Sequence, residues 1–110
     1  MLPYEVTPLE VKARMDAGEE LCLIDVREIA EFNAAKIETA NLVPMDTVPP
    51  NLQMLEGQAD QTPLIVFCHH GMRSLQVVNW LRKQGLEKCQ SMAGGIDRWS
   101  IEVDQAVPRY

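Results

Sequence analysis

At 110 residues the chain has room for about one domain, and a chain of this size buries roughly two-thirds of its unfolded surface, enough for a core without disulfide staples. Its 46% apolar and 24% charged content excludes a disordered chain, and no apolar run reaches the roughly 18 residues that a membrane span needs. Ten basic against 16 acidic residues, a net charge of −6, exclude general binding to nucleic acid or to anionic membranes, because both need a basic surface.

The opening MLPYEVTPLE has neither a basic start nor an apolar stretch, so no secretory leader is expected and a cytoplasmic location is predicted. The three cysteines, Cys22, Cys68 and Cys89, are odd in number and stand in unlike contexts, which predicts reduced thiols rather than a disulfide framework.

Along the chain, Tyr4 to Val6 reads as a short edge strand. Thr7-Pro8-Leu9-Glu10 has the form of a capping box with proline at the first helical position, so a helix is predicted to about Ala17, closed by Gly18. Leu21 to Ile24 is a continuous apolar run, the pattern of a strand buried on both faces, and Cys22 is expected in the core. Asp25-Val26-Arg27-Glu28 leads into a short helical turn through Phe32, with Asp25 and Arg27 expected to hold the strand end. Asn41 to Val43 reads as extended, and Pro49-Pro50 open a helical segment toward Glu56. Polar residues 57–62 read as a loop, and Leu64 to Phe67 as the next buried strand. From Ser74, apolar Leu75, Val78 and Leu81 follow a helical period that Gly85 stops. Cys89 to Met92 is the last predicted strand, before Ala93-Gly94-Gly95 and a helical turn near Trp99. The six methionines are expected to fill the core. Alternating strands and helices predict an α/β chain: a mostly parallel sheet of four to five strands with helices on both faces, in a single domain over residues 1–110.

The chemistry concentrates at one junction. Cys68 stands where the Leu64–Phe67 strand ends, and in open α/β sheets ligands bind beyond the carboxyl ends of strands. Cys68-His69-His70-Gly71-Met72-Arg73 then feeds a helix N-terminus, whose free N–H groups favour an anion and so a thiolate nucleophile. Gly71 allows the backbone to curl around the sulfur, and Arg73 can close the ring and hold an oxyanion. His69 and His70 also raise the possibility of a metal site, but adjacent ligands need a second cluster and no spaced Cys/His set accompanies them.

The segment Cys68 to Ser74, following Leu64-Ile65-Val66-Phe67, resembles the active-site loop of single-domain rhodaneses, in which four residues separate a cysteine from an arginine. Leu23-Ile24-Asp25-Val26-Arg27-Glu28 with Glu31-Phe32 is similar to the N-terminal signature of that family, and Ala93-Gly94-Gly95-Ile96-Asp97-Arg98-Trp99 to its C-terminal one. The resemblance implies a sulfurtransferase without cofactor or metal. Cys68 would take a sulfane sulfur from thiosulfate or a persulfide and pass it to a thiol, a cyanide-like nucleophile or a protein acceptor, while residues His69 to Arg73 bind the substrate.

Two positions depart from the family pattern. His69 stands where many members carry an arginine, and an imidazole is only partly charged near neutral pH. Ala35-Lys36-Ile37-Glu38-Thr39-Ala40 replaces the usual Gly-His-Ile-x-Gly-Ala, so the turn there is expected to differ. The alternatives are a non-catalytic rhodanese-like interaction module and a cysteine-dependent phosphatase, whose tetrahedral phosphoryl group suits a four-residue ring less well than one sulfur atom does. A thioredoxin-type oxidoreductase is a weaker alternative still, because Gly71 takes the place of the second cysteine of Cys-x-x-Cys.

Overall fold

The computed structural model describes residues 2–110. Five strands, β1 (Glu5–Val6), β2 (Cys22–Asp25), β3 (Asn41–Leu42), β4 (Leu64–Phe67) and β5 (Cys89–Met92), form one sheet in the order β1-β5-β4-β2-β3, with every pairing parallel. The helices are α1 (Pro8–Asp16), α2 (Ile29–Ala34), α3 (Leu52–Gln61), α4 (Met72–Lys83) and α5 (Gly95–Glu102), and two 3₁₀ turns, Met45–Thr47 and Pro49–Asn51, precede α3. This is the expected α/β architecture.

The side chains of β4 show why the run LIVF makes the central strand. Successive strand side chains point to opposite faces, and all four of these residues are fully buried. Leu64 and Val66 join Leu55 and Ala59 of α3 and Val77, Val78 and Leu81 of α4 in one core cluster. Ile65 and Phe67 join Val11 of α1 and Ile96 and Trp99 of α5 in the other. Each fully buried side chain of this kind contributes about 1.5–3 kcal/mol. A strand packed on both faces needs apolar residues at every position, and that is the continuous run seen in the sequence.

Local signals set the helix ends. Thr7 caps α1 in a complete capping box, its Oγ accepting from Glu10 N at 3.1 Å while its own N–H donates to Glu10 Oε1 at 3.2 Å. Residues 57–62, read as a loop, instead complete α3 as far as Gln61. The segment is polar on its outer side, but Leu55 and Ala59 bury against the sheet and hold the helix through Gly57.

Two further expectations are corrected. Cys22 is only partly buried, because it lies at the start of β2 near the β3 edge, with Sγ 3.6 Å from Gln58 Oε1. The methionines do not all fill the core: Met92 is fully buried, but Met54 and Met72 are exposed, the latter at 77%. At the end of β2, Asp25 and Arg27 form a fully buried ion pair, Nη2 to Oδ2 at 2.6 Å. A buried pair of charges survives only when hydrogen bonds satisfy what remains. Arg27 meets this condition by also donating to the carbonyls of Glu31 and Ala35. Residues 35–40 close in a turn in which Ala40 N–H donates to Ile37 O at 3.0 Å, with Ala35 and Ile37 buried.

Candidate active site

Cys68 follows β4 directly, and its side chain sits at the N-terminus of α4. Gly71 caps that helix with φ at +104°, the left-handed region that favours glycine, and a side chain there would press on Gly94 N. The resulting curl brings Gly71 N–H to 3.1 Å from Cys68 Sγ and Ser74 N–H to 3.4 Å. Both belong to the unpaired N–H groups at the start of a helix, so the sulfur takes the place of the missing carbonyl acceptors. Cys68 is 1% exposed, so its sulfur is held almost wholly within the protein.

Two serines complete the sulfur's surroundings. Cys68 Sγ lies 3.5 Å from Ser74 Oγ, which contacts Gly71 O at 3.2 Å and Ser91 Oγ at 2.8 Å. Ser74 and Ser91 are both fully buried. The sequence assigns neither a role at the site, although Ser74 closes the loop segment that resembles the family's. Ser74 stood in plain view one residue after Arg73, whereas Ser91 arrives from β5, next to β4 in the sheet.

The turn between β5 and α5 holds the loop from outside. Ile96 N–H donates to Cys68 O at 2.9 Å and Asp97 N–H to His69 O at 3.1 Å. A Cβ on Gly95 would overlap both carbonyl oxygens, which explains the second glycine of AGGIDRW.

Arg73 reaches across to α2, where Nη1 and Nη2 each meet a Glu31 oxygen at 2.8 Å. The guanidinium holds Glu31 at a pKa of about 2, well below its ordinary 4.5, and Glu31 in turn raises that of Arg73. The arginine fork is therefore engaged by a carboxylate rather than left open to an anion.

His69 lies between two rings, 3.8 Å from the His70 centroid and 3.9 Å from that of Tyr110, and its Nε2 is buried without a hydrogen-bond partner. Burial first and His70 second lower its pKa, outweighing the opposite pull of Asp97 and Glu31. The partial charge expected of His69 near neutral pH is thus reduced. His70 is exposed, its Nε2 3.9 Å from Asp97 Oδ2, and Met72 also faces solvent.

His69, His70 and Asp97 bring donor atoms within 4.8 Å of one another, a third partner that the sequence reading lacked. Asp97 is already engaged, its two oxygens taking Arg109 Nε at 2.8 Å and Nη2 at 3.3 Å. His69 stacks on both His70 and Tyr110, so the group is a stacked cluster with the Asp97–Arg109 ion pair at its edge. Cys22 and Cys89 stand apart from all of this, each with its thiol pKa pushed up by burial.

Comparison with known proteins bears on the family and the fold. The profile of the Rhodanese-like domain matches residues 7–102. The thiosulfate sulfurtransferase GlpE of Tolumonas auensis is 38% identical over 79 residues, 72% of each chain. An adenylyltransferase and sulfurtransferase of Zea mays is 30% identical over 96% of this chain, which spans only 23% of that longer protein. Among solved structures, a rhodanese-like domain protein from Staphylococcus aureus superposes with a TM-score of 0.81 at 27% identity, covering 98% of this chain and 99% of the other. A profile match across most of the sequence and a shared fold from end to end lead to one conclusion: the chain belongs to the Rhodanese-like domain family.

Proposed function

We propose that this chain is a sulfurtransferase, acting as one domain through a persulfide on Cys68. The observation that carries the reading is the sulfur itself, seated at the start of α4 with the N–H groups of Gly71 and Ser74 aimed at it. Such donors stabilise negative charge on sulfur, both before attack and on the terminal atom of a persulfide.

With thiosulfate as donor, the Cys68 thiolate attacks the sulfane sulfur, an S–S bond forms, and sulfite leaves with the electron pair of the broken S–S bond. An acceptor thiolate or cyanide then attacks the terminal sulfur, and Cys68 leaves as a thiolate ready for another cycle. Dividing the transfer in two is nucleophilic catalysis; the names of the relatives support sulfur transfer in general. In the resting thiol Ser74 Oγ accepts from Sγ; on ionisation the same hydroxyl turns to donate to the sulfur, with Ser91 as its second partner. Because Glu31 occupies the fork of Arg73, binding of an anionic donor falls chiefly to the backbone N–H groups. Persulfides of small thiols or of partner proteins suit such a site at least as well as thiosulfate. Three unpaired cysteines suit a reducing compartment such as the cytoplasm.

Intact mass after incubation with thiosulfate, and then with low-molecular-weight persulfides, tests this. The expected result is a gain of one sulfur, reversible by a reductant and absent in Cys68→Ser. Loading that survives Cys68→Ser and disappears in Cys22→Ser or Cys89→Ser would overturn the assignment, and no loading from any donor would leave the interaction-module reading.

A further inference from the structure

Arg109 and Tyr110 lie against the loop that carries Cys68, and their side chains meet Asp97, His69, Glu31 and the buried Arg27. Arg109 pairs with Asp97 in the first turn of α5, and the Asp97 N–H holds the His69 carbonyl. The Tyr110 ring lies parallel to His69, with an interplanar angle of 7°. Its hydroxyl accepts from Arg27 Nη1 at 2.8 Å and donates to Glu31 Oε1 at 3.1 Å, the oxygen that also meets Arg73 Nη2.

The value of this chain of contacts lies in its anchor. Arg27 is fully buried, and Asp25, Tyr110 and two backbone carbonyls take its donors, so it has little freedom to move. Tyr110 connects that fixed cation to a carboxylate at the protein surface. Without the hydroxyl, Glu31 keeps only the guanidinium of Arg73 and the backbone N–H of Glu28 as partners, and its link to the fixed Arg27 is lost.

We propose that Tyr110, clipped in place by Arg109, is a positioning residue for the sulfur-transfer site: its hydroxyl orients Glu31 and through it Arg73, and its ring closes one side of His69. The proposal rests on the sulfurtransferase reading for its kinetic arm and on geometry alone for its spectroscopic arm. Arg73 and His69 flank the N–H groups that hold Cys68 Sγ without touching the sulfur themselves, so loosening them is expected to affect donor capture more than the attack of a sulfur that other groups hold.

Two variants separate ring from hydroxyl. Tyr110→Phe keeps the stack and removes the bridge; Tyr110→Ala removes both. With the donor that loads Cys68, KM is expected to rise about three- to tenfold in Tyr110→Phe with kcat within about twofold, the size of one ordinary hydrogen bond lost at a solvent-accessible site. The imidazole titration of His69, followed by NMR, is expected to stay at its parent position in Tyr110→Phe. In Tyr110→Ala it should move upward as water reaches the ring; the groups facing it are His70, Asp97, Glu31 and Tyr110 itself. Arg109→Ala should give a weaker form of the Tyr110→Ala result. Parent values of KM and kcat in both Tyr110 variants, or an unmoved His69 titration in Tyr110→Ala, would overturn the proposal while leaving the sulfurtransferase reading intact. A fall in kcat and thermal stability together at unchanged KM would mark Tyr110 as merely structural and overturn it too. Should the parent take up no sulfur at all, the activity reading fails, and the His69 titration alone decides the role of Tyr110.

Discussion

Around Cys68 the two side chains with the most to lose are Ser74 and His69. Ser74→Ala deletes a hydroxyl that both Cys68 and Ser91 contact and leaves the fully buried Ser91 Oγ without that partner. Losing one hydrogen bond to a charged group removes about 1.5 kcal/mol, so kcat for sulfur transfer should fall roughly tenfold. Urea unfolding of the same variant should show a loss of about 1–2 kcal/mol from the orphaned serine. His69 makes the opposite case. With its pKa lowered from 6.5 the ring is mostly neutral at pH 7, and an arginine, which stacks equally well on Tyr110, would add a permanent charge. His69→Arg is expected to raise thiosulfate kcat/KM by about five- to tenfold at most at pH 7, the size of a partly desolvated charge. In the parent, the part of the pH profile owed to His69 should lie below pH 6.5 and vanish in the variant. If His69→Arg lowers thiosulfate turnover while a thiol-derived donor still works well in the parent, the natural donor is not thiosulfate.

At the level of elements, the loop after β4 is shaped as much by the β5–α5 turn as by its own residues. Gly95, at φ +61°, has no room for a side chain, because the carbonyl oxygens of Cys68 and His69 lie where a Cβ would sit. Those same carbonyls accept the N–H groups of Ile96 and Asp97, so neither side can withdraw without breaking hydrogen bonds. Gly95→Ala is therefore expected to cost more than about 2 kcal/mol, the range of backbone strain combined with steric overlap. Sulfur loading of Cys68 should fall along with it. A calorimetric scan and a mass measurement on one sample check both; a variant with parent stability and full loading would show that the turn does not hold the loop.

For the molecule as a whole, two site groups link stability to pH in the same direction. Folding lowers Glu31 from 4.5 to about 2, so between those values the unfolded chain binds more protons; the stability it contributes is complete above 4.5 and lost as pH falls toward 2. Solvent reaches the Arg73–Glu31 pair, whose side chains are 35% and 22% exposed, so about 1 kcal/mol is the expected size. His69, also lowered, adds a smaller loss that begins as pH drops below 6.5. Urea unfolding at pH 7, 4 and 2 should show Glu31→Gln less stable than the parent by about 1 kcal/mol at pH 7 and level with it near pH 2. A gap that persists at pH 2 would mean the carboxylate's charge is not what stabilises.

The sequence by itself determined the parallel α/β frame and the junction that carries Cys68, because both rest on short-range rules. A buried parallel strand needs an unbroken apolar run, LIVF in β4, and a helix that starts four residues beyond a cysteine can turn its N–H groups onto the sulfur. The same rules failed at residues 57–62, where a polar outer face hid a helix held by Leu55 and Ala59. Only the tertiary structure decided the electrostatics of the site. Glu31 reaches Arg73 across 42 positions and Tyr110 reaches Glu31 across 79, and no local pattern marks either. Side chains so far apart meet because the sheet order sets β4 between β2 and β5, bringing the elements that follow the three strands to one end of the sheet. Whether an arginine is free or engaged, and whether an imidazole is charged, depends on those neighbours rather than on the residue's own type.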